Sequence, residues 1–121
     1  MIEEIVAVIT EALLKRQPVR HRDWDVYESA TQKILGLTTE ELTSMSANEL
    51  IARYQNDKPG TDKLELAAVN MLRLAQESAD NILLTSKLRQ NGLQLLKYLQ
   101  QHADSYSLQR AYLISLIEMN G

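Results

Sequence analysis

The fold is decided by residues 64–101, which read LELAAVNMLRLAQESADNILLTSKLRQNGLQLLKYLQQ. In the first part of this stretch, apolar side chains recur every three or four positions, which is the spacing of one helix face. These positions are Leu64, Ala68, Met71, Leu72, Ala75, Ala79, Ile82 and Leu83. The pattern repeats at Leu88, Gly92, Leu95, Leu96 and Leu99. Two such stripes are hidden from water when the helices face each other, so we predict an αα-hairpin with its joint in the polar residues 85–87.

The composition also favours helices. The chain has 121 residues, the size of one ordinary domain, so we expect a single helical domain over residues 1–121. Phe is absent and aromatic residues make up only 5% of the chain, so the core must consist mainly of Leu, Ile, Ala and Met. Cys is absent as well, which excludes disulfides, thiolate metal ligands and thiol catalysis.

Charge and hydropathy restrict the location and the partners. A net charge of −3 gives no general attraction to nucleic acid or to anionic lipid. The acidic residues Glu3 and Glu4 stand where a secretory signal needs positive charge. No segment approaches the roughly 20 apolar residues of a membrane span. We therefore expect a cytoplasmic protein with neither a nucleic acid nor a membrane as partner.

Two helices are predicted in the first third of the chain. The first covers residues 2–16 and is ended by Pro18. The second begins after Asp23, a good N-cap residue, and runs to about Leu35. Gly36 then stands where a left-handed C-terminal cap is common. We expect these two helices to form a hairpin of their own.

Capping boxes predict the starts of three further helices. In this motif a Ser, Thr or Asp at the N-cap is followed three residues later by Glu, and each side chain bonds the other residue's backbone N–H. The three pairs are Thr38 with Glu41, Ser46 with Glu49, and Asp62 with Glu65. The first two pairs open short helices. The third follows a loop at 55–61 and opens the long helix that begins the hairpin described above.

Gly92 has two interpretations. The Asn91-Gly92 dipeptide is typical of a tight turn between strands, but here the apolar helical spacing continues through it. Gly92 therefore either allows two helices to approach closely, at a cost of about 1 kcal/mol in helix propensity, or breaks the helix.

The last predicted helix covers residues 106–119, after a joint at 102–105. Its apolar residues cover more than one face, whereas a surface helix of a monomer usually keeps a polar side. This helix therefore either lies deep in the domain or forms a homodimer interface. The candidate self-association face consists of Leu113, Ile114, Leu116 and Ile117.

Small residues at the expected helix crossings resemble those of tetratricopeptide-type hairpins. Ala79, Asp80 and Leu83 stand where the first helix of that motif carries Leu, Gly and Tyr. Gly92, Leu96 and Leu99 stand where the second carries Ala, an aromatic residue and Ala, and Gly92 and Leu83 fit by size class. The Pro that closes the motif is missing. The resemblance implies an all-α fold of tetratricopeptide-like stacked hairpins, with about five main helices and two short ones.

The order of segments along the chain resembles a family of small uncharacterised bacterial proteins with tetratricopeptide-like helices. The segments that carry the resemblance are 34–37 (ILGL), 42–46 (LTSMS), 49–50 (EL) and 104–108 (DSYSL). It extends over nearly the entire chain, but its motifs are structural. It implies a fold and no catalytic residues.

No pattern of residues indicates catalysis or a metal. His21 and His102 each lie in a predicted joint, without the helical spacing to a second ligand that metal sites favour. The basic cluster Lys15, Arg16, Arg20, His21 and Arg22 is interpreted as a solvated turn, since no aromatic series interleaves it for base stacking. We expect no cofactor, no metal site and no enzymatic activity.

A polar stripe on the long helix is the candidate partner-binding face. It consists of Asn70, Arg73, Glu77 and Asn81. In tetratricopeptide folds the first helix of each pair lines a concave surface that holds peptides, and the alternative is an ordinary solvated helix face. The expected function is that of a protein- or peptide-binding module. A self-associating structural protein, and a small enzyme, are the alternatives.

Overall fold

A computed structural model of the chain describes residues 1–57, 60–103 and 107–120, apart from the side chain at 120. Within these ranges it contains seven helices and no strand. They are α1 (Ile2–Leu14), α2 (Trp24–Leu35), α3 (Thr39–Ser44), α4 (Ala47–Tyr54), α5 (Gly60–Glu77), α6 (Ile82–His102) and α7 (Leu108–Asn120). The all-α prediction is confirmed, and α3 and α4 are the two short helices.

The packing of α5 against α6 forms the centre of the molecule. Leu66, Met71, Leu88, Leu95 and Leu96 have no exposed surface. Helices α1, α2, α3 and α4 also contact α5, while α7 packs on α6 and α1. Because so many elements meet α5, its buried residues cover more of the helix circumference than the single stripe that the sequence predicts.

The joint of this hairpin lies at 78–81, not at the predicted 85–87. Ile82 and Leu83, which were expected in the buried stripe, are 78% and 84% exposed. Asn81 is the N-cap of α6, and its side chain accepts a hydrogen bond from the backbone N–H of Leu84 at 3.1 Å. Thr85 lies within α6 and donates its hydroxyl to carbonyls near the end of α5. The polar residues at 85–87 therefore belong to a helix.

Gly92 lies inside α6 where this helix crosses α5. A Cβ at this position would lie 2.9 Å from both Cγ and Cδ2 of Leu72, and 3.3 Å from the carbonyl oxygen of Ala68. The interpretation as a close helix approach is confirmed, and the helix break is wrong. The neighbouring Asn91 accepts a hydrogen bond from the backbone N–H of Ala47 at 3.2 Å, which ties the start of α4 to α6.

Most of the predicted caps are confirmed. Asp23 is the N-cap of α2, although its side chain makes no capping bond, and Gly36 is left-handed with φ of 70°. Both capping boxes that open the short helices are present, at Thr38 and at Ser46. The third box is wrong. Helix α5 begins at Gly60, two residues before Asp62, in a region predicted to be loop.

Helix α1 packs mainly on α5 and α7 rather than on α2. The predicted hairpin of the first two helices is therefore wrong. The buried members of the core cluster include Ile5, Ile9 and Leu13 of α1 and many residues of α5, but only Leu35 of α2, so α2 offers α1 little buried apolar surface. The joint predicted at 102–105 begins after His102, the last residue of α6, and residues 104–106, including the expected helix start, lie outside the described residues.

Glu65 pairs with Arg110 and thereby joins α5 to α7. The carboxylate lies 2.8 Å from Nε of Arg110, whose side chain is almost entirely buried. Burial raises the pKa of Glu65, and the nearby Arg110 guanidinium opposes this increase without cancelling it. Ionised Glu65 is therefore costly to the folded state, and its proton is held more tightly in the folded chain than in the unfolded one.

We predict opposite pH dependences for two glutamates. Because its folded pKa is raised, Glu65 makes the free energy of unfolding fall as the pH rises above about 4.5. The stability of the wild type relative to Glu65→Gln should therefore decrease with rising pH. In Glu41, hydrogen bonds from the backbone N–H and side chain of Thr38 lower the pKa. The stability of the wild type relative to Glu41→Gln should therefore increase with pH up to about 4.5.

Urea unfolding followed by circular dichroism, repeated over a series of pH values, measures both differences. The two variants remove one carboxylate each, so each serves as the control for the other. If both stability differences changed with pH in the same direction, the opposite pKa shifts assigned to Glu65 and Glu41 would be contradicted.

Candidate binding groove

Two of the four residues in the predicted polar stripe are buried, and the other two, Glu77 and Asn81, are exposed. Asn70 and Arg73 are only 2% and 7% exposed, because α2 and α3 lie over them. Asn81 stands apart from them as the N-cap of α6. The structure thus brings Asn70, Arg73 and Glu77 together and separates Asn81, so the four residues do not form one exposed face.

The three grouped residues form an internal network. Nη1 of Arg73 donates to both carboxylate oxygens of Glu77, at 2.9 and 3.0 Å, and Nε and Nη2 each donate to Oδ1 of Asn70 at 3.3 Å. Asn70 in turn donates to the carbonyl of Leu66 at 2.9 Å. The guanidinium lies 4.9 Å from the ring centre of Trp24. These contacts satisfy a buried charge and hold α2 against α5.

None of the four residues in the predicted self-association face of α7 is fully exposed. Leu113 is 2% exposed and belongs to the core, and Ile114, Leu116 and Ile117 are partly buried. This face is therefore wrong as an exposed interface. A different stripe of α7, on the opposite side, is exposed and consists of Leu108, Tyr112, Ser115 and Met119. Its members are spaced four, three and four residues apart, so they lie on one helix face. The second apolar face of α7 therefore exists, but other residues form it.

The described residues enclose a groove between the ends of α1 and α5, the start of α6 and the end of α7. It has two adjoining hollows of about 440 and 450 Å³. Both are lined by Ala79, Thr85, Arg89 and Ile117. The first is completed by Ile82, Ser86, Gln90, Leu93 and Glu118, and the second by Leu13, Arg16, Pro18, Leu72, Ala75, Gln76, Leu113 and Leu116. We call this surface the four-helix groove.

The four-helix groove has an apolar floor and a positively charged side. Arg16 and Arg89 line it, and neither side chain makes a hydrogen bond or an ion pair with another residue in the described ranges. Its carboxylate, Glu118, is bound by Lys97 at 3.0 Å. The groove thus offers two free guanidinium groups beside apolar surface, which suits recognition of carboxylate or phosphate groups.

Arg16 is held in a backbone conformation that favours glycine. It is the one non-glycine residue in the described ranges with a positive φ, at 54°. The backbone N–H of Arg16 donates to the carbonyl of Leu13, and that of Gln17 donates to Ala12, which together form a Schellman motif at the end of α1. The amide of Gln76 donates to the carbonyl of Gln17 at 2.9 Å and attaches this turn to α5. Arg16 is thereby fixed at the groove edge.

Sequence reasoning found only part of this groove. Arg16 was noted, but as part of a solvated basic turn, and Arg89 was not singled out. Leu116 and Ile117 were noted because the apolar residues of α7 exceed one face, and that excess was the available signal. The groove itself combines four segments that are far apart in the chain, so no local pattern reveals it.

The two histidines have local roles. Nδ1 of His21 accepts the backbone N–H of Asp23 at 3.1 Å, and His102 stacks on Tyr98 with ring centres 4.1 Å apart. Nowhere in residues 1–57, 60–103 and 107–120 do three His, Asp or Glu side chains gather closely enough to hold a metal ion. Within the same ranges, no helix combines the length and the apolarity needed to cross a bilayer.

Comparison of the chain with protein-family models, with curated proteins and with solved structures found no match.

We predict that Arg16→Gly stabilises the protein. An L-residue in the left-handed region costs about 1–2 kcal/mol, and glycine avoids this cost while losing somewhat more freedom on folding. The free energy of unfolding in urea should rise by about 0.5–1 kcal/mol. Lys15→Gly, one residue earlier and in the right-handed region, should lower it by about 1 kcal/mol. A loss of stability in Arg16→Gly would show that the Arg16 side chain supports the fold.

Proposed function

We propose that this chain is a non-catalytic protein- or peptide-binding module, and that the four-helix groove is its binding surface. The observation that supports this is the combination, in one groove, of an apolar floor with two arginines that have no partner among the described residues. Binding grooves are mostly apolar and carry a few convergent polar groups that set orientation. The cytoplasm is the proposed location, and the absence of Cys from the sequence is consistent with it.

The shape of the groove favours an extended ligand. Its two hollows adjoin along α6 and α7 and both are open to solvent, so a peptide segment can lie across them with one side chain or more in each. A small ligand would more often be enclosed on most sides. We further propose that the packing of the helices is tetratricopeptide-like, which is supported by the α5/α6 hairpin with Gly92 at its crossing.

The proposal predicts that filling the groove abolishes binding. Ala79 is exposed and lines both hollows, so Ala79→Trp should block the groove without disturbing the core. Asp80→Trp places the same side chain on the next residue, which is exposed and lines neither hollow. A photo-reactive amino acid at Ser86, on the groove wall, should cross-link a partner in living cells.

Mass spectrometry of the irradiated product then identifies the cross-linked segment. We expect the cross-link to disappear in Ala79→Trp, to persist in Asp80→Trp, and to be missing when the photo-reactive residue is at Gln32 on α2. Equal cross-linking in the Ala79→Trp protein would remove the groove as the binding surface.

A homodimer formed through α7 is a second candidate. The stripe Leu108, Tyr112, Ser115 and Met119 is exposed and carries no charge, so two copies can meet along it without like-charge repulsion. This stripe replaces the face that the sequence analysis assigned to self-association.

For this candidate we expect light scattering to give the mass of a dimer for the wild type and of a monomer for Tyr112→Glu. Gln109→Glu adds the same charge to an exposed position of α7 outside the stripe and should remain a dimer. A monomeric wild type at all micromolar concentrations would exclude the dimer.

A further inference from the structure

The charge of the four-helix groove differs in sign from that of the whole chain. The chain carries a net charge of −3, whereas the unpaired charges among the described lining residues are the guanidinium groups of Arg16 and Arg89. Glu118 is neutralised by Lys97, as described above. A segment that enters the groove therefore meets positive charge beside apolar side chains.

Closure of this groove by a neutral apolar segment would be unfavourable for the two arginines. Such a segment would remove water from the guanidinium groups and supply no acceptor, and burying a charge without a partner is costly. A basic segment would add repulsion between like charges. A carboxylate supplies both the opposite charge and the oxygen acceptors that a guanidinium binds in a bidentate manner.

The conformation of Arg16 supports a role for its side chain in binding. Glycine is the residue that the left-handed position of a Schellman motif favours, and arginine there costs stability. Its side chain makes no hydrogen bond or ion pair within the described residues that would offset this cost. The strained backbone of Arg16 is therefore consistent with a binding role for its side chain.

The lining argues against nucleic acid as the source of the negative charge. None of the described residues that line the two hollows is aromatic, so these residues offer bases no stacking surface. Much of the groove surface is aliphatic, which suits the side chains of a peptide.

We propose, as a deepening of the function proposed above and resting on it, that the groove binds an acidic amphipathic peptide segment. Its apolar side chains fill the two hollows, and its Asp or Glu carboxylates bind Arg16 and Arg89. The groove thus selects its partner by charge as well as by shape.

The test uses the 121-residue chain and a displayed library of random peptides about 15 residues long, which span roughly 50 Å when extended. Selections are run in parallel on the wild type, on Ala79→Trp and on the charge-reversed variant with Arg16→Glu and Arg89→Glu. The matched control carries Arg22→Glu and Lys87→Glu, which change the net charge equally at exposed positions outside the groove.

We expect the wild type to enrich peptides that combine Asp or Glu with Leu, Ile or Phe and that do not bind Ala79→Trp. In fluorescence anisotropy, these peptides should bind the charge-reversed variant about tenfold or more weakly, and the matched control within about twofold of the wild type. Arg16→Gly should weaken binding as well while it stabilises the fold, a combination that a purely structural role for Arg16 would not produce. The charge-reversed variant should instead enrich peptides rich in Lys and Arg.

The outcomes separate the two proposals. The selected peptides could lose binding to Ala79→Trp and yet be neither enriched in Asp and Glu nor sensitive to charge reversal. This result would overturn the acidic preference but not the peptide-binding function. If every enriched peptide still binds Ala79→Trp, both proposals are wrong. If a second copy of the chain occupies the groove and Ala79→Trp abolishes this self-association, the acidic segment is again the wrong occupant.

Discussion

The close approach of α6 to α5 at Gly92 is the constraint on which the rest of the structure depends. A side chain at Gly92 would occupy the space that Leu72 fills and would meet the carbonyl of Ala68. Because the two helices are so near, α5 is buried along most of its length, and the other helices pack around this pair. Side-chain hydrogen bonds then connect neighbouring segments, as when Asn91 receives the first N–H of α4. The missing side chain at Gly92 therefore affects how segments far apart in the sequence pack together.

Local chemistry made the helix ends predictable. The capping boxes at Thr38 and Ser46 and the left-handed Gly36 depend on residues within a few positions of one another, so the sequence alone reveals them. The hairpin joint was misplaced because Thr85 is polar for another reason. Its hydroxyl donates back to the carbonyls of Ala75 and Ser78, at the end of α5 and just after it. Polar residues mark a turn only when their hydrogen bonds are made with solvent or within the turn.

Polarity also failed as a guide to the surface of α5. Arg73 bonds to Asn70 and to the half-exposed Glu77, and Trp24 covers the guanidinium, so two polar residues of the stripe, Asn70 and Arg73, are buried. The four-helix groove was hidden for the opposite reason. Arg16 and Arg89 are unremarkable where they stand in the sequence, and only the folded chain brings them to one hollow. Burial and proximity are properties of the tertiary structure, which periodicity does not encode.

Two walls of the four-helix groove come from opposite ends of the chain, one from the last turn of α1 and the turn after it and one from the end of α7. Local unfolding of either α1 or α7 would dismantle the groove. Any occupant that contacts both walls therefore stabilises α1 and α7 at once. Occupancy would then be read out as slower amide hydrogen exchange at both ends of the polypeptide, far apart in sequence but joined through a single ligand.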